Sequence, residues 1–338
     1  MNEADAVAAV LWVGVTLYAV FGGADFGAGF WALVSGREER GKRARHLIDR
    51  AIGPVWEANH VWLIFILVVL WTGFSAAFES IMSTLFIPLC LAALGIVLRG
   101  AGFAFHESAD RLGARRFSEH LFAASSVITP FFMGTVVGAV ASGRVPVGNA
   151  AGDPVSSWLN PVSVMVGVLF VATGAYLAAV FLVSDARRTN DDDLESYFRA
   201  RAMAAAVGTG AIALAGIFIL KEDARYVYDG LTSEGIPLVI LSAVCGLGAL
   251  VLLRRAARRG ARELAVGAVV AIIWGWGVAQ YPYLLPSNLT ISAGAGTDAT
   301  MTMVLIVFVA AVILVIPSIA YLYTLTQRNV LDPEPERE

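Results

Sequence analysis

The chain reads as an all-α integral membrane protein of nine transmembrane helices, and three observations predict this. Its 338 residues are 58% hydrophobic and only 15% charged, with a mean hydropathy of +0.72, whereas a soluble domain runs nearer half apolar and about a quarter charged. The apolar residues come in stretches of about 20 or more, the helix length that crosses about 30 Å of hydrocarbon. Lys and Arg fall mainly in alternate connections, as they do when basic residues are held on the cytoplasmic side. These features exclude an ordinary soluble enzyme and a disordered chain. The net charge is only −3, with the basic residues in short runs between apolar stretches, so the bilayer and not a nucleic acid is the expected partner.

The nine stretches run roughly over 6–34, 55–73, 80–106, 119–141, 159–183, 202–220, 235–253, 263–281 and 302–325. Each is helical because lipid offers no partner to a free backbone N–H or C=O. The first is preceded by the acidic leader Met1-Asn2-Glu3-Ala4-Asp5 and is too long for a signal-peptide core, so it is expected to stay in the mature protein. Arg37, Arg40, Lys42, Arg43, Arg45 and Arg50 form a basic loop after it, and Arg111, Arg115 and Arg116 follow the third stretch. Arg187, Arg188, Arg199 and Arg201 follow the fifth, Arg254, Arg255, Arg258, Arg259 and Arg262 the seventh, and Arg328 and Arg337 lie in the tail. Only Arg144, Lys221 and Arg225 stand in the other connections. The bias puts the N-terminus outside and the C-terminus in the cytoplasm.

No connection is long enough for a soluble domain. Pro282 to Thr300, with Pro282, Pro286, Gly294 and Gly296, is expected to be an ordered irregular cap. The acidic, proline-containing tail 327–338 is expected to be solvated and disordered. Cys90 and Cys245 lie in apolar stretches and read as small packing residues, with neither a disulfide framework nor a metal-ligand spacing. Trp12, Trp31, Trp62, Trp71, Trp158, Trp274 and Trp276 fall within or near span ends, where interfacial anchoring is expected.

Ionisable side chains at membrane depth are costly, so each is a functional candidate or half of a buried pair. Asp25 lies in Gly22-Gly23-Ala24-Asp25-Phe26-Gly27-Ala28-Gly29, about 14 Å from the cytoplasmic end of its helix at 1.5 Å per residue. The glycines around it let neighbouring helices approach closely. Span two opens with Pro54-Val55-Trp56-Glu57-Ala58-Asn59-His60, where Pro54 suits a helix start. Trp56 with His60, and Glu57 with His60, share a helix face by spacing. Arg99 falls about 10 Å deep on the same side. Asp25, Glu57, Asn59, His60 and Arg99 are therefore expected in one slab of the cytoplasmic half.

Two readings of that slab stand side by side. In one, Asp25 and Arg99 are a structural ion pair and Glu57 caps span two. In the other, Asp25, Glu57, Asn59 and His60 line a path by which protons enter from the cytoplasm. Trp56 offers a ring face on which a quinone headgroup can stack. His46, His106 and His120 read as solvated side chains at or in basic loops. A haem needs axial His, Met or Cys inside the bundle; only His60 is so placed, and a hydrogen bond to a neighbouring helix is the simpler reading. No Walker loop, Rossmann fingerprint, His-Glu-x-x-His or Cys-x-x-Cys is present, so no catalytic residue, metal or cofactor is assigned to this chain.

Five segments in order, GGADFGAG (22–29), RAIGPVWEANHVW (50–62), LWTGFSAAF (70–78), RGAGF (99–103) and YPYLLPS (281–287), resemble subunit II of the cytochrome bd quinol oxidases. The resemblance covers essentially the whole chain. It implies two four-helix bundles plus one peripheral helix, over residues 1–142, 155–282 and 301–326. It also implies a heterodimer with a subunit I carrying two b-type haems and one d-type haem, in a bacterial cytoplasmic membrane. The pair would oxidise quinol, reduce dioxygen to water and draw protons from the cytoplasm, generating proton-motive force. A structural quinone and a small accessory single-helix subunit are further implied possibilities. By motif, Asp25 matches the acid of the glycine-rich span, Trp56 with Glu57 the Trp followed by an acid, and Arg99 the arginine before Gly-Phe. The family carries Asp or Glu where Glu57 stands and Gln or His where His60 stands. From residues alone, a secondary transporter is the main rival, since Gly and Pro breaks beside buried acids also mark substrate sites; a purely structural membrane scaffold is the other.

Overall fold

In the computed structural model the described residues are 2–36, 38–52, 56–108 and 112–327; within these, the side chains of 52, 56–58, 103–108, 112–120, 316, 319, 322, 323, 326 and 327 are left aside. The chain is built almost wholly of helices. α1 (Glu3–Leu17) starts with a capping box: Asn2 accepts from the Asp5 amide at 2.8 Å, and the Asp5 carboxylate accepts from the Asn2 amide at 3.2 Å. The acidic leader is thus the first helix cap. Five residues wound as a π-helix (Tyr18–Gly22) join α1 to α2 (Gly23–Val34), and together they make one apolar helix of 32 residues.

The basic connection expected as a loop is instead α3 (Glu39–Ile52). Ala44, Leu47 and Ile48 share one face and are buried, while Arg40, Lys42 and Arg43 face outward. The spacing of 3 and 4 that makes this amphipathic face is modest against the surrounding charge, and only a packing partner brings it out. That partner is a buried cluster with Leu182, Val183, Leu194 and Phe198 from the two helices that meet at this end.

α4 (Trp56–Gly73) and α5 (Ser75–Thr84) are bent by 119°, and α6 begins only at Phe86 and runs to Ser108. The third stretch therefore starts later than residue 80, and 75–84 is a separate short helix. At the bend Phe74 is wholly buried among Val7, Leu85, Leu285 and Met301. The Gly73 carbonyl accepts from the Gly296 amide at 2.9 Å. Residues stay apolar across the bend, so hydropathy does not mark it.

α7 (Leu112–Ala141) contains Pro130. α8 (Pro161–Arg188) is capped by Asn160, which accepts from the Ser163 amide at 3.0 Å, with Pro161 in the first turn. α9 (Asp192–Asp223) is followed by the short α10 (Arg225–Leu231), then α11 (Ile236–Arg254) and α12 (Ala261–Gln280). The Pro282–Thr300 cap holds a two-stranded antiparallel ribbon, β1 (Tyr283–Leu285) with β2 (Leu289–Thr290), and one turn of helix, α13 (Ile291–Gly294). α14 (Asp298–Gln327) follows and leans on α1 and α4.

The central packing is a chain of neighbours: α6 lies along α7, α7 along α8, α8 along α9, and α11 along α12, while α2 fits between α7 and α8. Two tryptophans expected as interfacial anchors act inside this packing. The Trp12 indole donates to the Ile273 carbonyl at 3.0 Å and the Trp31 indole to the Ala175 carbonyl at 2.7 Å, tying the first helix to α12 and α8. Arg111, Arg115, Arg116, Arg37, Pro54, Arg328, Arg337, His106, His120 and the tail from 328 lie outside the described residues or have side chains that do.

Asp191 caps α9 by accepting from the Leu194 amide at 3.0 Å and also meets Arg43. The amide first and then the Arg43 guanidinium hold this carboxyl below the usual range. Its stabilising effect is therefore full above the unfolded value of about 3.9 and is lost as pH falls through the lower native value. Asp191→Ala is expected to lower stability at neutral pH by about 1 kcal/mol, read as a reduced unfolding temperature of the purified protein; an unchanged temperature would show that this cap adds nothing to stability.

Candidate functional site

The π turn sets the geometry around Asp25. One residue more per turn rotates the helix beyond it, and a π segment inside an α-helix often lies beside a functional group. Both Tyr18, on the turn, and Asp25, one turn beyond it, end up buried. The glycines after the turn permit close approach: a Cβ on Gly27 would run into the backbone carbonyl of Gly174 on α8, and one on Gly29 into Ser126 of α7. α2 can therefore seat Asp25 against α6 and α7 without side chains holding the helices apart.

Asp25 and Arg99 are both buried, at 4% and 0% exposure. Arg99 Nη2 lies 2.7 Å from Asp25 Oδ1 and donates also to the Asp25 backbone carbonyl at 3.1 Å. Its Nη1 donates to Ser126 Oγ, which in turn donates to the Phe122 carbonyl at 2.7 Å. The guanidinium lies over two rings, 5.0 Å from the centroid of Phe26 and 4.1 Å from that of Phe122, contacts that favour a cation. Removing two charges from water costs several kcal/mol per ion, offset here by mutual attraction and by these donors. Asp25 Oδ2 and Arg99 Nε are buried with no hydrogen-bond partner among the described residues, so one carboxylate oxygen stays open to a proton or a water.

Two further residues of the expected slab reach the same helix. Asn59 is buried and its amide donates to the Phe21 carbonyl at 3.4 Å, a carbonyl within the π turn. The half-buried His60 packs edge-on against Phe26, with ring centroids 6.1 Å apart. That contact fits a packed imidazole. Asn59 and His60 thus touch the residues four before and one after Asp25. Trp56 and Glu57 stand in the first turn of α4, while their side chains lie outside the described residues. The two rings and Ser126 are partners that charge and motif reading missed. Phe26 stands in the glycine-rich motif with no mark of this role, and Phe122 and Ser126 are four apart within an apolar stretch, a pattern shared with ordinary packing.

Elsewhere, Arg144 and Asp223 form a two-contact ion pair at the opposite end of α9, and that carboxylate holds the Arg144 guanidinium above the usual arginine value. An apolar groove of about 520 Å³ opens between α4 and α14 along Phe65, Val68, Thr72, Met303 and Val307, well along α4 from Trp56. No cluster of three or more His, Cys, Asp or Glu capable of holding a metal occurs among the described residues.

Comparison with known proteins places these features in context. The family model described as cytochrome bd terminal oxidase subunit II matches residues 4–326. The chain is 23% identical to the putative cytochrome bd menaquinol oxidase subunit II of Bacillus subtilis over 333 residues, covering 95% of this chain and 94% of the relative. It is 28% identical to the cytochrome bd ubiquinol oxidase subunit 2 of the same organism over 251 residues, 73% and 70% of the two chains. Among solved structures, a chain of the bd oxidase from Geobacillus thermodenitrificans superposes with a TM-score of 0.82 at 26% identity, covering 97% of this chain and all of the other.

Proposed function

The chain belongs to the family of cytochrome bd terminal oxidase subunit II, and from that premise we propose that it is the subunit without haem of a membrane complex that oxidises quinol and reduces dioxygen to water. It pairs with a subunit I that carries two b-type haems and one d-type haem in a bacterial cytoplasmic membrane. This chain buries the flank of that partner and admits protons from the cytoplasmic side, so that turnover generates proton-motive force.

Nine crossings, with the N-terminus outside and the C-terminus in the cytoplasm, are part of the proposal. Seven long apolar helices, the bent α4–α5 pair and the apolar Phe86–Gly102 part of α6 support that count. Residues 1–142 make the first bundle, 155–282 the second and 301–326 a peripheral ninth helix; the contacts of α14 with α1 and α4 support its peripheral position.

The observation that carries the proton role is the free oxygen of Asp25. Oδ1 holds Arg99 at 2.7 Å while the buried Oδ2 has no partner among the described residues. A proton passing Glu57 at the mouth of α4 and then Asn59 and His60 would be received at Asp25 Oδ2, while Arg99 keeps the carboxylate oriented from its other side. Phe26 and Phe122 lie against the guanidinium, which is wholly buried, and so keep its surroundings dry. The haems supply the electron transfer and oxygen chemistry on the partner; nothing in this chain's described site is required to ligate them. Trp56 as a contact for a structural quinone belongs to the same proposal.

A tagged chain is expected to bring down a haem-containing membrane partner with a reduced d-type absorbance band. A colourless preparation that moves a solute would replace this reading with transport. Glu57→Gln is expected to slow quinol oxidation about 10- to 100-fold, in the range of a lost acid–base group, with the haem spectrum unchanged. Turnover equal to wild type would take Glu57 off the path.

A further inference from the structure

We infer that the turn between α11 and α12 binds an anionic phospholipid, its phosphate held by Arg254, Arg255, Arg258 and Arg259 and its acyl chains lying along the outward face of α11. The inference rests on the reading that these helices cross a bilayer. Its first support is how charge is distributed at this end of the molecule. Several cations nearby are paired: Arg40 and Arg43 meet Asp193 and Asp191, and Arg187 and Arg199 share the carboxylate of Glu195. The four arginines of the turn are exposed and form no ion pair within 4 Å among the described residues, although Arg258 lies near enough to Glu195 to help hold that carboxyl low, and Glu263 follows in the first turn of α12; four cations against these two carboxylates leave the patch positive.

The turn is also held in shape. Arg187 Nη1 donates to the Ala257 carbonyl at 2.7 Å, while its Nη2 rests on Glu195 at 2.9 Å. Arg262 lies 4.2 Å over the ring of Phe181 and is taken out of the patch. Four guanidinium groups are thus presented from a braced connection rather than from a loose one. Guanidinium forks suit phosphate oxygens.

The third observation is the surface that leads into the turn. Ile240, Val244, Leu247 and Val251 are exposed at 56%, 61%, 64% and 47%. Their spacing of 3 and 4 draws one stripe down α11, and the next step of the same stripe is Arg254. An apolar stripe ending in unpaired cations matches a lipid in outline, acyl chain first and headgroup last. Retention of basic residues on one side of a membrane requires only positive connections; it does not require four exposed arginines clustered at the end of a bare apolar face. A zwitterionic headgroup brings its own cation into the patch, so an anionic lipid is favoured.

The test uses the intact oxidase complex, purified in a neutral detergent and stripped of lipid, with phosphatidylglycerol and phosphatidylcholine as probes read by native mass spectrometry. Wild type is expected to retain phosphatidylglycerol at least about tenfold better than phosphatidylcholine, with the preference weakened by salt. R254Q/R255Q/R258Q/R259Q is expected to lose that preference, while R225Q, at the opposite end of α9, keeps it. Because the quadruple variant can fail to insert, wild-type complex is also labelled with a photoactivatable phosphatidylglycerol. Cross-links in peptides spanning 240–262 support the site. No preference in wild type, labelling only elsewhere, displacement of the lipid by millimolar inorganic phosphate alone, or coverage of this face by the partner subunit would each overturn it. The d-type absorbance of the same preparation reports separately on whether the oxidase reading holds.

Discussion

Asp25→Asn is expected to strip the complex of most of its haem-bearing assembly. The carboxamide cannot balance the charge of Arg99, which is fully buried and has its Nη2 on Asp25 at 2.7 Å. Stranding a buried charge costs about 3–5 kcal/mol, a large part of the ~5–15 kcal/mol that holds a typical domain folded. The measurement is the yield of purified complex and its reduced d-type band; full haem content in this variant would mean the pair does not hold the fold. A double change, D25V/R99M, separates structure from proton transfer. Replacing both charges by apolar side chains of similar bulk is often tolerated, so assembly is expected to recover while quinol oxidation stays low. Wild-type turnover in the double variant would remove Asp25 from the proton path.

Gly27→Val is expected to be damaging too, through packing alone. A Cβ at this position meets the Gly174 backbone carbonyl, and backbone cannot rotate aside as a side chain can. α2 and α8 must separate, and overpacking of this kind costs about 1–3 kcal/mol or more. Separation would also draw Asp25 away from Arg99, since α2 is held between α7 and α8. The control is Gly208→Ala, whose Cβ would have no neighbour within 4 Å; it is expected to leave yield and thermal stability unchanged. Equal yields from the two variants would show that the α2–α8 approach tolerates side chains.

Much of the fold could be read in advance because crossing a membrane leaves few solutions. Most of the nine stretches fall on long helices, although α9 begins well before its apolar part. Hydropathy reports where side chains leave water, and a helix end beyond the hydrocarbon carries polar residues such as Asp192 and Glu195. The bend at Phe74 and the helix α3 were not visible for a related reason. Both depend on partners distant in the chain, Met301 and Leu285 for Phe74 and Phe198 for Ile48.

The candidate site divides along the same line. Cost alone singled out Asp25 and Arg99, because an ionisable group in an apolar stretch stands out against its neighbours. The sequence also marked Asn59 and His60 through their position at the mouth of a helix. Residue types without such contrast stayed hidden: a serine and two phenylalanines in apolar helices look the same whether they grip a guanidinium or fill space.

Composition, span length and the placement of charge by themselves determined that this is a chain of many apolar, membrane-type helices carrying a few expensive polar groups. Five motifs in order determined its family. Only the tertiary structure decided that Asp25 and Arg99 meet, that Ser126, Phe26 and Phe122 complete their surroundings, that Asn59 serves the carbonyl of a π turn, and that four exposed arginines of one connection gather at the end of an apolar stripe. The reason is range. Transfer from water to lipid is a property of each residue and adds along the chain, whereas pairing, stacking and close approach act over a few ångströms between helices that the sequence separates by tens of residues.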